Sequence, residues 1–257
     1  MTKKEPYIAN NIIISLDFDG VLAHGLNLKL KYAKEWFGMK LSLGQTKKEA
    51  FNALVERLGK NIDYNKDLMD KINEEHIMEY EIPEGCLDVL KALYSQGFRF
   101  VIITSRSDDD YKHAKKFVEF NFKGLIEYAH HTKDNSKSDF VKRVMPRIHV
   151  DDDLHKLLDL SDLPIELVYY RQPENVGKDL NYSQKEQIYE ITKWTQFYDI
   201  NIELREIHEA ICWKENIINS FYNIGLIFAF FKNLNQDQIT QLLNEYRTFR
   251  KNLSLAA

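Results

Sequence analysis

A chain of 257 residues that is 44% hydrophobic and 29% charged, with only 10 glycines and 5 prolines, can bury a large core, which excludes a disordered or fibrous protein. The net charge of −4 leaves no overall basic footprint for nucleic acid, and two distant cysteines, Cys86 and Cys212, offer neither a disulfide framework nor a zinc site. A reducing cytoplasm is therefore the expected compartment; the short polar N-terminus carries no secretion signal, which leaves delivery into a host by a signal-less route as the other reading.

The first element is IIISL at residues 12–16, an apolar run that reads as a buried strand and ends in Asp17-Phe18-Asp19-Gly20. Alternation along a strand puts Asp17 and Asp19 on one side and Phe18 on the other. Two like charges at the mouth of an apolar strand repel, so a cation or a proton is expected between them.

Residues 28–37, 46–58 and 65–80 carry apolar positions at three- and four-residue spacings, and no strand signal falls between about 24 and 82. The expectation is a helical insertion at 24–81 within a core formed by 1–23 and 82–182. Pro83 and Gly85 mark the return, and helix and strand then alternate: helices at 86–96, 111–122, 137–145 and 154–160, strands at 98–104, 126–130, 148–150 and 165–170. That alternation predicts an α/β fold, a Rossmann-like parallel sheet with helices on both faces. From Ser183 no strand is evident, and 183–257 reads as a helical C-terminal extension. Within it, IINSFYNIGLIFAFF at 217–231 is about fifteen residues long. A membrane-spanning helix needs about twenty, so a core or oligomer-interface helix is the expectation.

Open parallel sheets bind ligands at the carboxyl ends of their strands. The strand at 98–104 ends in Thr104-Ser105-Arg106, hydroxyls and a cation; the strand at 148–150 ends in Asp151-Asp152-Asp153. Lys137 opens the helix between them, where a lysine can neutralise anionic oxygens, with Lys133 and Lys142 as nearby alternatives. Carboxylates, a hydroxyl and a lysine at neighbouring strand ends suit an anionic substrate held on Mg²⁺, which takes carboxylate, phosphate and water oxygens. The histidines 130, 131 and 149 have no third ligand at metal spacing.

In these features the sequence resembles the haloacid dehalogenase (HAD) superfamily of phosphatases: DFDGV at 17–21, a strand ending in Thr104, Lys137, and the acidic pair Asp151-Asp152, in that order across about residues 11–170. The TSR at 104–106 is most similar to small nucleotidase-type members, and the helical insertion sits where that superfamily carries its first-position cap. The resemblance implies a phosphomonoester hydrolase in which Asp17 attacks phosphorus and Asp19 acts as general acid and then base. It further implies phosphate binding by Thr104, Ser105 and Lys137, Mg²⁺ held by Asp17, the Asp19 carbonyl, Asp151 and Asp152, and Arg106 as a substrate contact. The implied substrate is a small phosphorylated metabolite such as a nucleotide. The alternatives are a phosphoprotein phosphatase, a phosphotransferase, or an interaction or membrane-docking protein dominated by its C-terminal helices, through which homo-oligomers could also form.

Overall fold

The computed structural model describes residues 12–132, 136–214 and 234–255. Lys133 and the apolar run at 217–231 lie outside the described residues. Ile13–Trp194 makes one compact unit, and the chain from Thr195 onward belongs to a second.

The first unit is built on six strands, β1 (Ile12–Leu16), β2 (Phe98–Thr104), β3 (Ile126–His131), β4 (Ile148–Asp151), β5 (Glu166–Tyr170) and β6 (Ile188–Ile191), in the spatial order β3-β2-β1-β4-β5-β6. The pairs β1–β4, β2–β3, β4–β5 and β5–β6 are parallel. Every residue of β4 and of β5 is buried, which requires cover on both faces of the sheet. On one face, Val141, Leu154, Leu157 and Leu160 pack with Ile103, Leu167, Tyr169 and Ile188.

The strand order reverses beside β1, so the crevice at the carboxyl ends of β1 and β4 is the topological switch point where such sheets take ligands. Register then fixes which residues meet there. Leu16 lies opposite Val150, and the Asp17 amide donates to the Val150 carbonyl at 2.9 Å, which sets Asp17 beside Asp151.

After β1 the chain turns sharply, with the Gly20 amide on the Ala23 carbonyl at 2.9 Å, and leaves the sheet. His24 and Glu81 pair antiparallel, each amide donating to the other's carbonyl at 2.8 and 3.1 Å, which closes the base of the segment between them. That segment is helical: α1 (Leu26–Phe37), a 3-10 turn (Leu43–Thr46), α2 (Lys48–Arg57), a π turn (Tyr64–Met69), α3 (Asp70–His76) and a second 3-10 turn (Ile77–Glu79). Tyr32, Phe51, Leu54, Leu68 and Ile72 are buried in it, the residues that gave the sequence its helical spacing.

The crossovers are α4 (Cys86–Ser95), α5 (Asp108–Asn121), α6 (Lys137–Val144), α7 (Leu154–Leu158) and the short α8 (Tyr182–Lys185). Strand β6 corrects the expectation that nothing but helix follows Ser183. Its four residues, IYEI, are too few to show a period, and as an edge strand it buries only Ile188 and Ile191 fully. In the second unit, α9 (Trp194–Lys214) and α10 (Gln236–Leu255) pack Ile207, Ala210 and Ile211 against Ile239, Leu242, Leu243 and Tyr246. Arg247 forks onto Glu206 at 2.7 and 2.6 Å. No described helix is long and apolar enough to cross a membrane.

Candidate active site

The carboxylates predicted from the strand ends converge. One oxygen each of Asp17, Asp151 and Asp152 lies within 4.8 Å of the others, and all three residues are buried. Asp17 leaves β1, Asp151 ends β4, and Asp152 follows it; the parallel register does the rest. Gly20 makes room for this approach. It sits at φ +76°, and a Cβ there would lie 2.5 Å from Asp152 Cγ, so only glycine fits without displacing that carboxylate.

Lys137, at the start of α6, places Nζ 3.0 Å from Asp17 Oδ1 and 2.5 Å from Asp151 Oδ2. It is thus the counter-ion between two buried carboxylates, whereas Lys142 is exposed further along the helix. Burial pushes Asp17 above its ordinary value, with Lys137 only partly opposing the rise. Asp151 goes the other way. Burial would raise it, but Lys137 and the neighbouring His149 outweigh that and hold it well below the carboxylate range. His149 is completely buried, with Nδ1 2.8 Å from Ser15 Oγ and Nε2 3.5 Å from Asp151 Oδ2; burial lowers its pKa and keeps it neutral.

Asp152 is pushed up to about 6 by burial and by its like-charged neighbours, despite the salt bridge from Lys47 Nζ at 2.7 Å. Its main-chain carbonyl accepts from Asn175 Nδ2 at 2.7 Å, which fixes the residue from the loop after β5.

Asp19 does not join the carboxylate cluster through its side chain. Arg106 takes both its oxygens in a fork, Nε to Oδ2 at 2.8 Å and Nη2 to Oδ1 at 2.7 Å. Partial loss of water would raise Asp19, but the guanidinium outweighs it and holds the carboxyl below its usual range. Arg106 also stands 4.8 Å over the Phe18 ring and donates to Asn73 Oδ1 at 3.1 Å, an atom that accepts from the Tyr80 hydroxyl at 2.9 Å. The residue expected to meet substrate is therefore engaged with Asp19 and with the helical insertion.

Thr104 and Ser105 share with Asp17, Asp19 and Asp152 the wall of a cavity of about 1150 Å³ between the sheet end and the insertion. Lys137 lies outside that lining, behind Asp17. The cations facing the cavity include Lys47 and Lys156, neither of which the motif reading selected. Lys156 had a usable signal, since it follows Asp152 by four positions in the first turns of α7. Lys47 had none.

The sequence matches no family model, and no curated protein matches it. Solved structures do match in three dimensions. A predicted phosphoglycolate phosphatase from Haemophilus somnus aligns with a TM-score of 0.56 at 13% identity, over 74% of this chain and 98% of that one. The chain has the haloacid dehalogenase fold. A hydrolase of the haloacid dehalogenase-like family from Streptococcus pneumoniae aligns over the same shares at TM-score 0.54 and 12% identity. A Bacillus subtilis protein, YfnB, described as a HAD-hydrolase and bound to magnesium, aligns over 74% of this chain and 98% of its own at TM-score 0.53 and 16% identity. Within this HAD fold, the acidic cluster stands at the end of the first strand and of its parallel neighbour β4.

Proposed function

We propose that the chain is a Mg²⁺-dependent phosphomonoester hydrolase that works through an aspartyl-phosphate on Asp17. One observation carries the reading. A buried carboxylate at the end of β1 opens onto a large cavity while two further carboxylates and a lysine surround it.

The donor set fits a hard cation. Three carboxylate oxygens within 4.8 Å of one another are the ligands Mg²⁺ prefers, and Asp17 Oδ1, 3.0 Å from Lys137 Nζ, is buried with no hydrogen bond aligned on it. Asp17, Asp151 and Asp152, with the Asp19 carbonyl, are the residues that would hold the ion. When bound, it supplies positive charge to the phosphoryl oxygens and relieves repulsion among the carboxylates.

In the first half-reaction an Asp17 oxygen attacks phosphorus, the ester P–O bond breaks, and the departing oxygen takes a proton from Asp19. In the second, Asp19 removes a proton from water as that water attacks phosphorus, and the bond from phosphorus to Asp17 breaks to release phosphate. Arg106 holds Asp19 in its ionised, basic form, suited to the second half; the first half requires that fork to open. Thr104 and Ser105 donate to the phosphoryl oxygens, where developing charge is largest. Lys137 sets one cation against both Asp17 and Asp151, holding Asp151 anionic and opposing part of the rise that burial imposes on Asp17. The cavity admits a small phosphorylated metabolite, a nucleotide among them.

The test is hydrolysis of p-nitrophenyl phosphate by the wild type with and without Mg²⁺, beside Asp17→Asn. Turnover that needs Mg²⁺ and vanishes in the variant supports the reading; equal rates for the two proteins overturn it. A panel of phosphorylated metabolites run beside phosphopeptides then assigns the substrate class.

A further inference from the structure

The insertion delivers one cation of its own to the acidic cluster, Lys47. The main chain just before it is firmly held. Thr46 Oγ1 donates to the Leu43 carbonyl at 2.6 Å, the Ser42 amide donates to Gln45 Oε1 at 2.9 Å, and the Tyr64 hydroxyl donates to the Thr46 carbonyl at 2.8 Å. Thr46 is completely buried. From this fixed point the Lys47 side chain crosses to the core and meets Asp152 Oδ2 at 2.7 Å.

The two lysines in ion-pair contact with the cluster are not equivalent. Lys137 belongs to the core's own α6, touches two carboxylates and has a side chain 7% exposed. Lys47 belongs to the insertion, touches one carboxylate, lines the cavity and has a side chain 26% exposed. A divalent cation brought to the cluster competes with whichever ammonium costs least to move, and solvent access makes that one Lys47.

We infer that Lys47 is a displaceable counter-ion, holding Asp152 while the site is free of metal, giving up that oxygen when a divalent cation is bound, and then presenting its ammonium to a phosphate oxygen in the cavity. The inference rests on the metal reading above and adds to it. Lys47 opposes metal binding and favours anion binding, so its removal shifts the two affinities in opposite directions. By linkage, metal and phosphate then assist each other through this side chain, and metal occupancy is reported to the insertion.

The experiment is calorimetric titration of the full chain with Mg²⁺ alone, then with inorganic phosphate at saturating Mg²⁺, for wild type, Lys47→Met, Lys47→Gln and Lys47→Arg. The neutral variants are expected to bind Mg²⁺ about tenfold more tightly and phosphate about tenfold more weakly, the worth of one partly buried charge pair. Lys47→Arg should stay near wild type in both. A merely structural role would weaken both affinities together, and that result overturns the inference. Unchanged Mg²⁺ affinity in the neutral variants also overturns it while leaving the metal site standing. Absence of Mg²⁺ binding by the wild type overturns the metal reading and this inference with it. If one neutral variant fails to fold, the other gives the same comparison.

Discussion

Replacing Lys137 by methionine removes the shared cation of two carboxylates whose side chains are 3% and 0% exposed, at 3.0 and 2.5 Å from its Nζ. Two buried negative charges are left facing each other. The cheapest relief is a proton on one of them, and keeping an aspartate of ordinary value 3.8 protonated at pH 7 costs about 4 kcal/mol at 1.36 kcal/mol per unit. That caps the loss, and stripping one partner from a buried pair costs about 3–5 kcal/mol, so Lys137→Met should lose about 3–4 kcal/mol at pH 7 in EDTA. The sign with pH follows. Protonation becomes free as pH approaches 4, so the gap between variant and wild type should narrow from pH 7 downward. Mg²⁺ that binds only the folded chain restores about 2.7 kcal/mol at a hundred times its Kd. Urea unfolding followed by tryptophan fluorescence reads all three effects. A variant with the wild-type midpoint in EDTA, or one whose midpoint ignores Mg²⁺, would refute the assignment of Lys137 as the cluster's counter-ion.

Gly20→Ala places a Cβ 2.5 Å from Asp152 Cγ at a left-handed backbone position; it should cost about 2 kcal/mol of stability and weaken Mg²⁺ binding about tenfold, by titration calorimetry. Asp19→Ala strands an Arg106 side chain that is 7% exposed, whereas Arg106→Met leaves an Asp19 side chain that is 44% exposed and can be hydrated. The first should therefore cost about 3 kcal/mol and the second about 1, and the reverse order in urea melts would show that the fork is held up by something else. Because burial and its like-charged neighbours push Asp152 up to about 6, protons compete for it below that value. Mg²⁺ affinity should rise from pH 5 to pH 7 and flatten above; a flat profile across that range excludes Asp152 as a ligand.

The parts of the site visible in the sequence are those whose placement is local. Asp17 and Asp19 share a side because strands alternate, and Asp151 and Thr104 fall at strand ends because buried parallel strands read as apolar runs that stop abruptly. Lys137 was legible as the residue opening a helix just upstream of β4. What stayed hidden depends on distant segments meeting. The fork of Arg106 on Asp19 joins positions 87 apart, and the Lys47 bridge to Asp152 joins positions 105 apart. No periodicity marks Lys47, because the turn that aims it is set by Tyr64 from another part of the insertion. Strand β6 was missed for a different reason, since an edge strand with two half-buried polar positions lacks the apolar run that revealed its neighbours.

The most direct test of the central claim is capture of the covalent intermediate. Wild-type chain mixed with p-nitrophenyl phosphate and Mg²⁺, quenched in acid and weighed by intact-mass spectrometry, should gain one phosphoryl group. That group should map to the peptide containing Asp17, be released by hydroxylamine, and be absent from Asp17→Asn. Turnover by Asp17→Asn at the wild-type rate, or a phosphoryl group on any other residue, would contradict the account.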